Sequence, residues 1–552
     1  MKFDYALVLA MIGVSIAVVQ PQTTVALSST PVAKLAKATT VQIDNHENDI
    51  VLTAQIPNAE DLLVQAGEKY DRKDYKGAIE VYTTAIRINP NDPLGYIGRG
   101  LARYRLADYK GAIEDYTLAL KINPNYALAY NNRGLARYDL GDNQGAIADY
   151  NQALQINPKY ALAYYNRGLA QYKLGKLQQA IADYQQALEI NPNYDDAYYN
   201  RGLAYYDLKD NLAAIADYNQ AIKINPNAAD AYYNRGLAYY DLGDNLAAID
   251  NYTLALKINP NDADTYYNRG LARYQLTDLQ GAIADYNQAI KINPNATDAY
   301  IRRGVVRYEL GDNKAAIADY NQAIKINPNT ADAYYNRGLA RNKLGDYQGA
   351  IADYSQAIKI NPNTADAYIG RGVARYKLGD HKGAIADYNQ ALKINPNDAL
   401  TYYNLGTARS ALGDKKGAIE DYTTAIKINP NDAEAYYNRG NARSALEDNQ
   451  GAIEDYNQAI KINPNYAAAY GNRGNARYDL GDKQAAIEDY NQVIKIDPKD
   501  ALAYNNRGIA RYELGDQQGA IADLQKAAKL FQEQGKTDDY KQILQLIKKL
   551  QR

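Results

Sequence analysis

The chain has 552 residues and sets 62 Lys and Arg against 64 Asp and Glu. That near balance removes the long-range attraction on which nucleic-acid binders rely, so no nucleic acid is expected as a partner. Cysteine is absent, which excludes disulfide stapling, thiolate catalysis and thiolate metal sites. Tyrosine occurs 55 times against two Phe and no Trp, an imbalance that copying one short unit many times leaves behind.

Lys2 precedes an uncharged run from Tyr5 to Val19, followed by Pro21 and small polar residues. The run is shorter than the roughly 20 residues a spanning helix needs, so residues 1–26 read as a signal peptide, with an uncleaved N-terminal anchor as the alternative. A periplasmic or secreted protein is the expectation, cytoplasmic residence the lesser reading. Residues 27–58 have no sustained period and read as linker.

From residue 59 one spacing governs the sequence. Pro90, Pro124, Pro158 and their successors to Pro498 recur every 34 residues, the mark of stacked helical hairpins. Fourteen repeats fit within 59–534. In repeat 331–364, Asp332 to Leu344 reads as helix A and Gly345-Asp346 as a turn. Tyr347 to Ile360 then reads as helix B, with Ala350, Ile351, Tyr354, Ala357 and Ile358 on one face. Asn361-Pro362-Asn363 ends it, since Pro cannot continue a helix, and Thr364 or Asn363 is placed to cap the next helix A.

A glycine recurs in the middle of helix A (Gly100, Gly134, Gly168 and onward to Gly508) and an alanine early in helix B (Ala112, Ala146, Ala180). A helix-interior glycine costs roughly 1 kcal/mol against alanine, so each is expected to admit a close neighbour. After the last repeat, Lys536 to Arg552 reads as a capping helix within 535–552, with Tyr540, Ile543, Leu544, Ile547 and Leu550 on its apolar face.

The repeat starting at Ala229, with Tyr232, Gly236, Tyr239, Ala248, Tyr252, Ala255 and Pro260, resembles the tetratricopeptide repeat family, in the style of its long tandem arrays of bacterial, including cyanobacterial, type. One departure is consistent: the family's usual Leu before the helix A glycine is Arg in twelve repeats, from Arg99 to Arg507, and reverts at Leu405. The resemblance implies an all-α fold, a right-handed superhelical solenoid of antiparallel helix hairpins whose inner, concave wall is lined by helix A.

Carried onto matching positions, that wall holds Tyr165, Tyr199, Tyr233, Tyr267 and Tyr335, with Tyr403 and Tyr437 later in the same row. A second row is Tyr138, Tyr172, Tyr206, Tyr240, Tyr274 and Tyr308. Tyr offers stiff contact area with a hydroxyl, and hairpin packing is the competing use of the same rows. Asp196, Asp230, Asp264, Asp298, Asp332 and Asp366 recur at one place in helix A, with Asp207, Asp241 and Glu309 nearby. They suit a basic or mixed guest, or the positive end of the helix dipole. The family's carboxylate clamp is incomplete: Asn166, Asn200, Asn234 and Asn268 are present, but Tyr199, Leu203 and Asp230 occupy places its other residues need.

The Arg row (Arg99, Arg133, Arg167, Arg201) faces helix B acids such as Asp149, Asp183, Asp217 and Asp285, so an inter-helix ladder is expected in place of a phosphate site. No catalytic, metal or cofactor-binding residue is assigned. His381, at a hairpin turn, is expected to face solvent, and His46 lies in the linker. The chain is expected not to be an enzyme. Its expected role is a scaffold binding one or more proteins through extended segments in the groove, with membrane contact only through the N-terminal segment. The alternative is an envelope carbohydrate or polymer-binding module.

Overall fold

The computed structural model describes residues 58–551; the segment read as a signal peptide or anchor, and the linker up to residue 57, lie outside the described residues. Helices run from Ala59 to Leu550, and each repeat contributes an antiparallel pair. The chain divides into two compact bodies between Asn293 and Pro294. The first holds the helix pairs of repeats 1–7, the second those of repeats 8–14 and a terminal helix. In both, helix B packs between the two A helices that flank it, and consecutive A helices touch. The fold is an all-α solenoid of paired helix hairpins.

Repeat 331–364 shows why these residues fold so. Helix A spans Ala331–Lys343 and helix B Tyr347–Ile360, so helix A sits one residue earlier than the sequence pattern suggests. Leu344 closes helix A and Gly345 turns the chain at φ 81°. Asp346 then caps helix B by accepting from the Gly349 amide at 2.9 Å, satisfying one of the open N-terminal donors. Helix B ends on extended Asn361, whose Oδ1 accepts from the Asn363 amide at 3.2 Å before the next hairpin begins. Thr364 stands at the start of the next helix A but makes no side-chain cap bond. Its carbonyl accepts from the Ala367 amide instead.

Five repeats lack glycine at the turn and hold Lys73, Ala107, Lys209, Thr277 or Glu447 at positive φ. A β-branched residue fits the left-handed region worst. Thr277→Gly is therefore expected to raise local stability by about 1 kcal/mol, read as slower amide exchange in Leu279–Ile292; unchanged exchange would refute a strained turn.

Each hairpin core is made of small residues around one tyrosine. Ala350 and Ala374 are buried against Tyr354, and a Cβ on Gly338 would lie 2.8 Å from Tyr354 Cε1. The glycines of helix A thus clear space for the helix B ring. The terminal helix, Thr537–Leu550, buries Ile543, Ile547 and Leu550 against Leu524, Ala528 and Phe531. Leu544, expected on that face, is exposed.

The Arg–Asp ladder binds helix A to helix B. Arg201 Nε and Nη2 each lie 2.7 Å from an oxygen of Asp217. Equivalent pairs join Arg99 to Asp115, Arg337 to Asp353 and Arg473 to Asp489. Each Arg also lies over a tyrosine one turn earlier, as Arg201 does over Tyr198 at 5.6 Å. Repeat 1 has Gln65 and Val81 in the places of the pair, and repeats 6 and 11 break the ladder. Arg235 donates to Asn251 at 2.7 Å where an acid would stand, and Leu405 leaves Asp421 without its usual partner.

Candidate functional site

Consecutive A helices touch one another, which makes the helix A face the candidate wall in each body.

The tyrosine row is tied down by the repeat that follows. Asn200 Nδ2 donates to the Tyr165 hydroxyl at 3.1 Å, Asn234 to Tyr199 at 3.0 Å and Asn268 to Tyr233 at 3.0 Å. On the inner side the rings rest against the core tyrosines: Tyr165 against Tyr184 at 5.9 Å, Tyr199 against Tyr218 and Tyr267 against Tyr286 at 6.0 Å, Tyr335 against Tyr354 at 5.9 Å. Tyr165 is 1% exposed and Tyr233 and Tyr206 are 6% exposed. The expectation that these three line an open groove is corrected: the next A helix covers them. Burial pushes the hydroxyls of Tyr165 and Tyr199 well above their usual pKa. Tyr199, Tyr267 and Tyr335 stay half-buried, as do Tyr138, Tyr172, Tyr240, Tyr274 and Tyr308 in the second row.

The second row has its own ladder. Tyr104 donates to Asp139, Tyr172 to Asp207, and Tyr478 to Glu513 at 2.7 Å, so each hydroxyl reaches an acid of the following hairpin. Asp207, grouped by sequence with the free acids of the wall, is engaged in this way.

The first-turn acids are different. Asp230, Asp298 and Asp332 are exposed and Asp196, Asp264 and Asp366 half-buried. The carboxyls of Asp196, Asp230, Asp264 and Asp366 are raised above their ordinary pKa, first by lost hydration. Neighbouring acids raise them further: Asp195 beside Asp196, Asp262 near Asp230 and Asp264, and Asp398 near Asp366. Asp332 is raised by the same loss of hydration, against which Arg302 pulls down. Asp196, Asp230 and Asp264 lie in the first body, and Asp298, Asp332 and Asp366 in the second.

Sequence reasoning missed two features. The asparagines read as remnants of a carboxylate clamp, Asn200, Asn234 and Asn268, are the residues that hold the tyrosine hydroxyls. The core tyrosines divide by what stands across from them in helix A. Tyr116, Tyr150, Tyr184, Tyr218, Tyr252 and Tyr354 have buried hydroxyls with no protein partner, and Leu faces them there. In repeats 11–13 Thr407, Asn441 and Asn475 take that place and accept from Tyr422, Tyr456 and Tyr490 at 3.2, 2.9 and 2.9 Å. The signal was in the sequence as three polar residues at an otherwise aliphatic position.

His381 is half-buried, its ring 5.0 Å from that of Tyr376; this corrects the expectation of a solvent-facing side chain, because the Tyr at the end of helix A covers the turn. Among the described residues no group of His, Asp or Glu is arranged to hold a metal ion, and no helix is long and apolar enough to cross a membrane.

Stacked antiparallel hairpins with a helix A wall in each body define a repeat scaffold, a fold generally used for protein–protein interaction. The family model described as TPR repeat matches successive segments from residue 68 to 446 and again at 474–515, and the model described as tetratricopeptide repeat matches 433–466. The chain belongs to the tetratricopeptide repeat family. No curated protein matches it by sequence. Among solved structures it is similar to MamA, with 32% identity over 30% of this chain and 96% of that one and a TM-score of 0.29. A tetratricopeptide repeat protein from Parabacteroides merdae is 22% identical over 45% of this chain and 98% of that one, with a TM-score of 0.35. YrrB, titled a TPR protein with an unusual peptide-binding site, is 24% identical over 33% of this chain and 95% of that one, with a TM-score of 0.31.

Proposed function

We propose that the chain captures extended protein segments along its helix A wall, and that the guest is basic where it crosses repeats 5–7. The observation that carries this reading is the recurrence of Asp196, Asp230 and Asp264 at one place of successive A helices, exposed or half-buried, with Asp195 and Asp262 close enough to raise their carboxyls further. A carboxylate in such a place gains from a Lys or Arg brought to it. Half-buried Tyr199 and Tyr267 supply flat contact area between these acids. Repetition at 34-residue spacing lets weak contacts add along one guest by effective concentration.

The test compares the parent with the Asp196→Asn, Asp230→Asn, Asp264→Asn triple variant. Both are assayed for binding of an unstructured lysine-rich peptide and for protein capture from soluble and envelope fractions. Circular dichroism should be unchanged, since these carboxyls support no hairpin contact. Peptide affinity should fall about tenfold or more, and the parent's affinity should drop with added salt. Equal affinity of parent and variant would refute the acidic wall. Binding of envelope glycans with no protein captured would replace the protein guest with a carbohydrate one.

A further inference from the structure

Repeat 11 is where the ladder loses its arginine but keeps its acid. Leu405, 2% exposed, occupies the position from which Arg371 and Arg439 reach their aspartates in repeats 10 and 12. Asp421 remains buried beneath it at 6% exposure. Its nearest cation is Arg409, whose Nη1 lies 3.1 Å from Asp421 Oδ2, yet Oδ2 makes no hydrogen bond, so the pair is misaligned.

Arg409 is also shared, with its Nη1 3.4 Å from the Gly417 carbonyl and its Nε 4.0 Å from Asp414. Arg439, on the next helix A, is engaged by Asp455 and by Thr423 at 3.0 Å. The remaining charges around Asp421 are acids: Glu420 beside it and Asp414 at the turn. A carboxylate here has lost its hydration without gaining the bidentate guanidinium that the other repeats supply.

We propose that repeat 11 is a pH-responsive joint in the array: its hairpin, Ala399–Ala411 against Lys415–Ile428, closes most tightly when the Asp421 carboxyl carries a proton and opens more readily once it ionises. Burial raises that carboxyl to about 7, Arg409 opposing and Glu420 and Asp414 adding to the rise. A carboxyl that holds its proton more tightly when folded than when open favours the folded form at low pH. That advantage is lost as the pH rises toward the folded value.

Each hairpin of a repeat array contacts only its neighbours, so the weakening stays local. Opening would release the bond from Asn438 to the Tyr403 hydroxyl, 2.9 Å, which ties repeat 12 to repeat 11. The joint therefore lies in the helix A wall itself.

Amide exchange of the full chain tests this, followed by mass spectrometry and corrected for the intrinsic pH dependence of exchange. The opening constant of peptides within 399–428 should rise by up to about tenfold per pH unit between roughly pH 5 and 7. Peptides within 467–496, where the Arg473–Asp489 pair is intact, should stay flat. Asp421→Asn should abolish the rise, and Leu405→Arg should abolish it by restoring the pair. A flat profile for repeat 11 in the parent, or a rise that persists in Asp421→Asn, overturns the proposal. If Leu405→Arg does not fold, Asp421→Asn still decides.

Discussion

Replacing Arg201 by methionine should cost about 3–5 kcal/mol of local stability in repeat 5, one of the largest losses available to a single substitution in this chain. Arg201 is the one cation paired with Asp217, since Tyr205 stands where other repeats hold a second arginine. Asp217 is 5% exposed, and burial already raises its carboxyl in spite of Arg201. Methionine retains the aliphatic stem over Tyr198, so the loss isolates the charge. In Arg201→Met with Asp217→Leu no buried charge remains, and most of the deficit should return.

The pH dependence of the single variant follows from the same raised carboxyl. With its cation gone, Asp217 holds its proton still more tightly when folded, so the variant's deficit should shrink as the pH falls. Amide exchange of Asn211–Ile224 reads both effects. A double variant as weak as the single one would show that the guanidinium acts by packing, with no part played by its charge.

The hairpins and the ladder were legible because their signals are local and repeated. Pro, Gly and the helix B face recur at fixed spacing, and Arg201 and Asp217, 16 residues apart, recur together. The wall was legible only in outline. Tyr165 is covered by Tyr194, whose ring lies 4.8 Å away, and is bonded by Asn200, 35 residues on in the next repeat, while every tyrosine of that row carries the same phase in the pattern. Burial of Tyr165 and Tyr233 could not be told from the half-exposure of Tyr199 by spacing alone. Leu405 was visible as a departure from the Arg row. Its consequence, a stranded Asp421, appears only once the two helices are packed together. Thr407, Asn441 and Asn475 were likewise visible, but their use as acceptors for Tyr422, Tyr456 and Tyr490 needs the facing helix.

Gly338→Leu should destabilise repeat 9 by about 3 kcal/mol or more, and Gly338→Ala by less. A Cβ at Gly338 would lie 2.8, 3.0 and 3.1 Å from Cε1, Cδ1 and Cζ of Tyr354, so one face of that ring is already in contact with the helix A backbone. The ring cannot retreat. Gly370 of the next repeat stands equally close, a Cβ there lying 2.6 Å from Tyr354 Cζ, and Tyr335 abuts it at 5.9 Å. Alanine gains roughly 1 kcal/mol of helix propensity over glycine, and overpacking costs about 1–3 kcal/mol, so even the smallest side chain should come out unfavourable. Leucine adds three more carbons to the same gap. Tyr354→Leu in the Gly338→Ala background should recover part of the loss, because Leu524 fills the matching place above Gly508 in repeat 14 and the change also removes a buried hydroxyl with no protein partner. Urea denaturation with amide exchange of Ala331–Ile360 measures the series. Parent-like stability of Gly338→Leu would mean that the glycine row does not set the spacing between helix A and helix B.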